Sequence, residues 1–153
     1  QSSGLIEQHY GGRTGFRADL PNLYFKSSYE ADFARVLLHD GVQFEFESRT
    51  FEYTDGDVVR HYTPDFYIVD RDEFVELKSR PPDGSAFAEM MTKNLRAHDE
   101  LRRQGVSISV IYMNEFYSDL RSRGLYDTLS ILENRDYAGT VHLITKRDDC
   151  QDR

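Results

Sequence analysis

A single cysteine, Cys150, occurs in the whole sequence, which excludes an internal disulfide and any zinc site built from several thiolates. A cytoplasmic setting is the expectation that follows. No apolar run approaches the roughly 20 residues of a bilayer span, and no basic-then-apolar leader opens the chain, so the sequence predicts a soluble, intracellular protein with no membrane partner. Histidine is sparse and scattered: His9, His39, His61, His98 and His142 keep no ligand spacing, and none is assigned to a metal. Internal repeats and low-complexity tracts are missing. So is a basic excess, for the formal charge is -8, opposite in sign to the usual footprint of a protein that binds a polyanion.

What is present is a globular balance, with 39% hydrophobic and 30% charged residues in 153, enough for one well-packed core and too little for two ordinary ones. The charge is unevenly placed. Thirteen acidic and five basic residues lie between Tyr29 and Lys78, a local sum of -8, and the remaining segments sum to zero. Bound divalent cations would neutralise part of this, since they become the largest local charges in a carboxylate site. For most of these acidic residues a solvated surface is explanation enough.

Gln1-Ser2-Ser3-Gly4 resemble an expression remnant, and Gly11-Gly-Arg-Thr-Gly15 lacks any hydrophobic period. Residues 1–25 therefore read as an N-terminal arm, with 26–153 as the single domain. Ser27 followed by Glu30 fits a capping box, and Phe33, Ala34, Leu37 and Leu38 continue at helical spacing to Gly41. Phe44 and Phe46 alternate with Glu45 and Glu47, and Phe51 and Tyr53 resume the pattern after an irregular step at Ser48 to Thr50 that reads as a bulge. Thr54-Asp-Gly-Asp57 supplies hairpin chemistry before a partner strand at Val58 to Tyr62. Phe66 to Val69 and Phe74 to Lys78 form a second antiparallel connection across a polar turn. A helix from Ser85 to Gln104 is bounded by Pro81-Pro82 and Gly105, and Val106 to Tyr112 reads as a buried strand. Leucines from Leu120 to Leu132 predict one or two further helices broken near Gly124, and Thr140 to Thr145 a last strand. The order predicts an α/β fold with a mixed central β-sheet flanked by helices.

The informative chemistry is Tyr62-Thr-Pro-Asp-Phe66 followed by Glu76-Leu-Lys78. Side chains two apart on a strand share a face, so Glu76 and Lys78 project together while Leu77 faces the opposite layer. Pairing of the two apolar strands brings Asp65 beside Glu76 at one end of the sheet. Two carboxylates suit a hard, oxygen-seeking cation such as Mg²⁺, and the Lys78 ammonium is placed to stabilise phosphate charge or orient a water. Glu30, presented from a helix, completes a second metal site or serves only as the return half of its capping box. Glu76 and Lys78 likewise admit a plain reading as a same-face ion pair worth ~0.2–1 kcal/mol.

On Pro64-Asp65, Glu76-Leu77-Lys78 and the helical Glu30, the sequence resembles the PD-(D/E)xK nuclease superfamily. Lys26-Ser-Ser-Tyr-Glu-Ala-Asp-Phe-Ala34 and Tyr62-Thr-Pro-Asp-Phe66 look like its phage-type endonuclease I and transposon-end nuclease branch. The likeness runs from about Lys26 to Tyr117. It departs from the branch at Tyr29, often tryptophan, and at Ser79, often glycine. It implies a restriction-endonuclease-like core and two-metal cleavage of DNA phosphodiesters with Mg²⁺, Mn²⁺ substituting. By that likeness Asp65 bridges the metals, Glu76 and the Leu77 carbonyl complete the coordination, and Lys78 acts on the nucleophile. Arg13, Arg17, Lys26, Lys93 and Arg96 are the candidate phosphate contacts; a solvated face is the plain reading of each. Cutting both strands is simplest with two active sites, hence a homodimer or larger nucleoprotein assembly. The competing reading is a catalytically silent module of the same shape that binds nucleic acid or a protein partner. Hydrolysis of some other phosphoester is a third.

Overall fold

The computed structural model of the chain describes residues 14–81, 85–125 and 132–134. The chain divides into two compact units, one made of Gln1–Arg35 with Tyr112–Arg153 and the other of Val36–Ile111. Among the described residues, no helix is long and apolar enough to cross a membrane.

The first unit opens with a hairpin, β1 (Gly15–Arg17) against β2 (Leu20–Phe25), where the sequence predicts an arm. The signal for it is only two buried apolar residues, Leu20 and Phe25, too few to register as a period. Helix α1 (Ser28–His39) follows. Its cap uses both predicted residues: the Glu30 N–H donates to Ser27 Oγ at 3.3 Å, and Glu30 Oε1 accepts the Lys26 N–H at 2.7 Å. The return bond thus reaches one residue further back than a standard capping box. Within this unit Tyr29, Ala31, Phe33 and Ala34 of α1 are buried, as are Met113, Tyr117 and Leu120 of helix α3 (Met113–Ser122). The Phe33 and Phe116 rings lie 5.3 Å apart.

A polar network sits among these apolar groups. Asp32, fully buried, accepts hydrogen bonds from the Tyr117 hydroxyl (2.7 Å), the backbone N–H groups of Glu133 (2.8 Å) and Asn134 (3.0 Å), and Arg35 Nη1 (3.1 Å). Glu133 in turn accepts from Arg17, Arg35 and Ser28, and Arg35 also forks onto Asp19. Burial raises the Asp32 pKa, and its hydrogen bonds only partly offset that. Burial also pushes Glu133 upward, but Arg17, Ser28 and Arg35 prevail and hold its carboxyl below the ordinary range. A buried network is tolerable only when each member is satisfied, and this one ties Leu132–Asn134 to α1.

The second unit holds a mixed four-stranded sheet in the order β3-β6-β7-β8. Strand β3 (Phe44–Phe46) pairs antiparallel with β6 (Phe66–Ile68), and β6 with β7 (Glu73–Lys78), in the register Phe66↔Val75, Tyr67↔Phe74, Ile68↔Glu73. A single 3₁₀ turn at Val69–Arg71, closed by Asp72 with φ of 50°, forms the polar connection. Helix α2 (Ala86–Arg103) then carries the chain across to β8 (Ile108–Tyr112), the crossover that parallel neighbours require. Gly105, with φ of 89°, stops α2 as predicted. A separate hairpin pairs β4 (Phe51–Asp55) with β5 (Val58–Tyr62) through Gly56-Asp57. Phe74, Leu101 and Ile108 form one core cluster of this unit, with Phe51, Tyr53, Tyr62, Tyr67 and Val106 packed against it.

Here the structure corrects one expectation. Phe44–Phe46 and Phe51–Asp55 are not one bulged strand but edges of different sheets. The chain leaves β3 at Glu47, whose φ of 49° lies in the left-handed region and departs from the extended conformation of a strand. The predicted strand at Thr140 to Thr145 and the side chains of Phe87, Met90 and Met91 fall outside the described residues.

Candidate metal centre

Strand β7 sets the geometry. Phe74 is buried in the core of the second unit, and the period of two carries Glu76 and Lys78 onto the same face. There Lys78 Nζ lies 3.4 Å from Glu76 Oε2, the two side chains only 12% and 13% exposed. This partial burial reduces the screening that a surface pair would have, and further hydrogen bonds help to offset the desolvation of its members. The other carboxylate oxygen has such a bond: Glu76 Oε1 accepts the Tyr62 hydroxyl at 2.6 Å.

Asp65 stands at the start of β6, after the buried Pro64. Its Oδ2 accepts the backbone N–H of Leu77 at 2.8 Å, which clips the carboxylate to β7 between Glu76 and Lys78. The Tyr62 hydroxyl feels the charges of both Glu76 and Asp65; burial first, then Glu76 and Asp65, raise its pKa far above that of an ordinary phenol. Asp65, Glu76, Leu77 and Lys78 are therefore gathered at one end of the β6–β7 hairpin.

Glu47 joins them. Its N–H donates to the Asp65 carbonyl at 2.8 Å, and its carboxylate and that of Asp65 offer oxygens within 4.8 Å of each other. Nothing in the alternation of Phe44, Glu45, Phe46 and Glu47 marks it, because that pattern assigns Glu47 to the face of Glu45. Only the left-handed turn at Glu47 breaks the alternation, and strained backbone of this kind clusters at functional sites.

The carboxylates of Glu47 and Asp65 offer oxygen donors, the hard chemistry that Mg²⁺ or Mn²⁺ takes, whereas the Glu76 oxygens are engaged by Tyr62 and Lys78.

Behind Glu76 lies His98 of α2. It is fully buried, and its Nε2 is 2.6 Å from the Tyr62 hydroxyl. Its ring meets that of Tyr62 edge to face at 5.2 Å. Burial, reinforced by the charges of Lys78 and Arg102 and opposed by Asp99, pulls its pKa down to about 4.

Glu30 belongs to the first unit, on the opening turn of α1, with one oxygen engaged by the Lys26 N–H. Arg17 is 4% exposed and pairs with Glu133, so its guanidinium is spent inside the fold rather than offered to phosphate. Lys26 is exposed at the end of β2. Arg96 is 66% exposed and pairs with Asp55, which also holds Arg60. Arg13 and the Lys93 side chain lie outside the described residues. An open cleft of about 500 Å³ is lined by Tyr53, Asp55, Arg60, Arg96 and Glu100 among others, but none of Asp65, Glu76 and Lys78 reaches it. With its arginines already paired to Asp55, it holds no comparable set of reactive groups.

No family model matches this chain, and neither a curated protein nor a solved structure matches it.

Proposed function

We propose that the protein is a Mg²⁺-dependent endonuclease that hydrolyses DNA phosphodiesters on a restriction-endonuclease-like core. The observation that carries this reading is the convergence on β7: Glu76 and Lys78 on one face, 3.4 Å apart, with the Asp65 carboxylate clipped to the N–H of the residue between them. A surface ion pair would need neither the partial burial nor the second carboxylate.

Bound at this site, a divalent cation supplies Lewis-acid polarisation of the scissile phosphate and a more acidic water. Asp65, Glu76 and the Leu77 carbonyl would hold the cation, as the resemblance implies, and Glu47 would add a carboxylate beside Asp65. Lys78 holds a compact positive charge where the phosphate gains negative charge, or orients the attacking water. Glu30, a carboxylate on the opening turn of α1, would serve as a ligand for a second cation. DNA is the substrate and Mn²⁺ the expected substitute, and a homodimer or larger assembly would serve duplex cleavage.

The test is cleavage of plasmid, single-stranded, flap and four-way-junction DNA with Mg²⁺ and with Mn²⁺. Cutting that disappears in Asp65→Ala, Glu76→Ala and Lys78→Ala, with folding retained, is the expected result; a protein that leaves every substrate intact with both ions overturns it. One observation favours the silent-module reading: Tyr62 and Lys78 already engage both Glu76 oxygens. Calorimetry decides between the two, because a silent module binds DNA tightly and divalent ions not at all.

A further inference from the structure

We infer that Tyr62 and His98 are positioning residues that fix the plane of the Glu76 carboxylate, acting through a two-step hydrogen-bond relay from α2 to β7. The inference rests on the metal-site reading of Glu76 for its functional meaning.

The Tyr62 hydroxyl has two neighbours at 2.6 Å, Glu76 Oε1 and His98 Nε2. An ionised carboxylate only accepts, so the phenolic proton belongs to Glu76. His98 Nε2 must then carry a hydrogen and donate to the phenol oxygen. That assigns the Nε2–H tautomer and leaves Nδ1 as the acceptor. Nδ1 is buried and has no hydrogen-bond partner among the described residues. An imidazole with one nitrogen satisfied and the other stranded weakens the fold relative to an apolar residue of the same shape. What the position gains in exchange is the bond to Tyr62.

The torsion that the relay controls is the one that Glu76 leaves loose. The terminal χ3 of a glutamate is broad and roughly two-fold, so neither rotamer preference nor strand geometry fixes the plane of its carboxylate. Tyr62 pins one oxygen and Lys78 the other, and the remaining lone pairs are thereby aimed. Tyr62 lies three residues before Asp65, at the end of β5, so a single short segment delivers both a carboxylate and the group that orients its partner. Groups that orient metal ligands in this way typically change metal affinity or activity by ~10–100-fold when removed.

The test uses the full chain with Tyr62→Phe, His98→Leu and His98→Gln, whose amide N–H stands where Nε2–H does. The ¹⁵N imidazole signals of the unmodified protein come first: the Nε2–H tautomer is expected, and Nδ1–H overturns the relay without any variant. The ¹³C carboxyl resonance of Glu76, assigned through Glu76→Gln, should move in Tyr62→Phe and His98→Leu and stay near its original place in His98→Gln. An unmoved resonance in the first two overturns the proposal. Mn²⁺ titration should show ~10–100-fold weaker binding in Tyr62→Phe and His98→Leu, with kcat reduced, KM for DNA little changed, and His98→Gln substantially rescued. Equal Mn²⁺ affinity and kcat across the series refutes a positioning role. A protein that binds no Mn²⁺ and cuts no DNA sinks the nuclease reading instead, while the Glu76 resonance still decides whether the relay exists.

Discussion

Replacing His98 with glutamine should flatten the dependence of stability on pH, and the size of the effect follows from where the ring sits. In the unfolded chain the imidazole titrates near 6.5, and in the folded protein burial holds it to about 4. The folded state therefore binds the proton less readily than the unfolded state. Above pH 6.5 both forms are neutral and the protein keeps its full stability from this source. Between 6.5 and 4 the unfolded chain takes up the proton and the folded one does not, so stability falls by about 1.4 kcal/mol per pH unit. Below the folded value the loss is complete. The gap of about 2.5 units corresponds to roughly 3 kcal/mol, a large share of the 5–15 kcal/mol typical of a domain. Urea unfolding of the unmodified protein and His98→Gln at pH 7, 6, 5 and 4 measures it. Carboxylates such as Glu133 titrate in both proteins and cancel in the difference. The difference should shift by about 3 kcal/mol in favour of His98→Gln as pH falls from 7 to 4. Two parallel curves, or an imidazole that titrates near 6.5 in the folded protein by NMR, would refute the reasoning.

Glu133→Ala takes one carboxylate partner from Arg17 and Arg35, whose side chains are 1% and 7% exposed, while Asp19 and Asp32 still hold Arg35; it should lower stability by about 1–3 kcal/mol in denaturant unfolding, and no measurable loss would mean that the network is hydrated. Asp65→Asn and Glu76→Gln keep the shape of the side chains and remove their charge, so circular dichroism should be unchanged while kcat for DNA cleavage drops at least ~100-fold. Glu47→Gln should weaken Mn²⁺ binding measured by calorimetry, and an unchanged affinity would place Glu47 outside the site. Chelation by EDTA should abolish cutting, and either Mg²⁺ or Mn²⁺ should restore it.

The boundaries of α1, the β4–β5 hairpin, the β6–β7 hairpin and the stop of α2 were all legible in the sequence, because each depends on local chemistry. A serine three before a glutamate, Asp55-Gly56-Asp57, and Gly105 specify backbone angles within a few residues of themselves. The shared face of Glu76 and Lys78 was legible for the same reason, since strand parity needs no knowledge of a partner. The break at Glu47 was not, because nothing in glutamate itself demands a left-handed φ. Nor was the hairpin within residues 14–25, which declares itself only through what Leu20 and Phe25 bury.

The residues around the candidate centre divide along the same line. Asp65, Glu76 and Lys78 stood out from residue type and spacing alone, and so did the α/β class. That Glu47 faces Asp65, that the histidine of α2 reaches Glu76 through Tyr62, and that Arg17 turns inward to Glu133 were decided by tertiary structure. Periodicity and turn chemistry act between near neighbours, whereas Tyr62 and His98 are 36 positions apart and Arg17 and Glu133 are 116 apart, and only the packing of whole elements brings such pairs within hydrogen-bond reach.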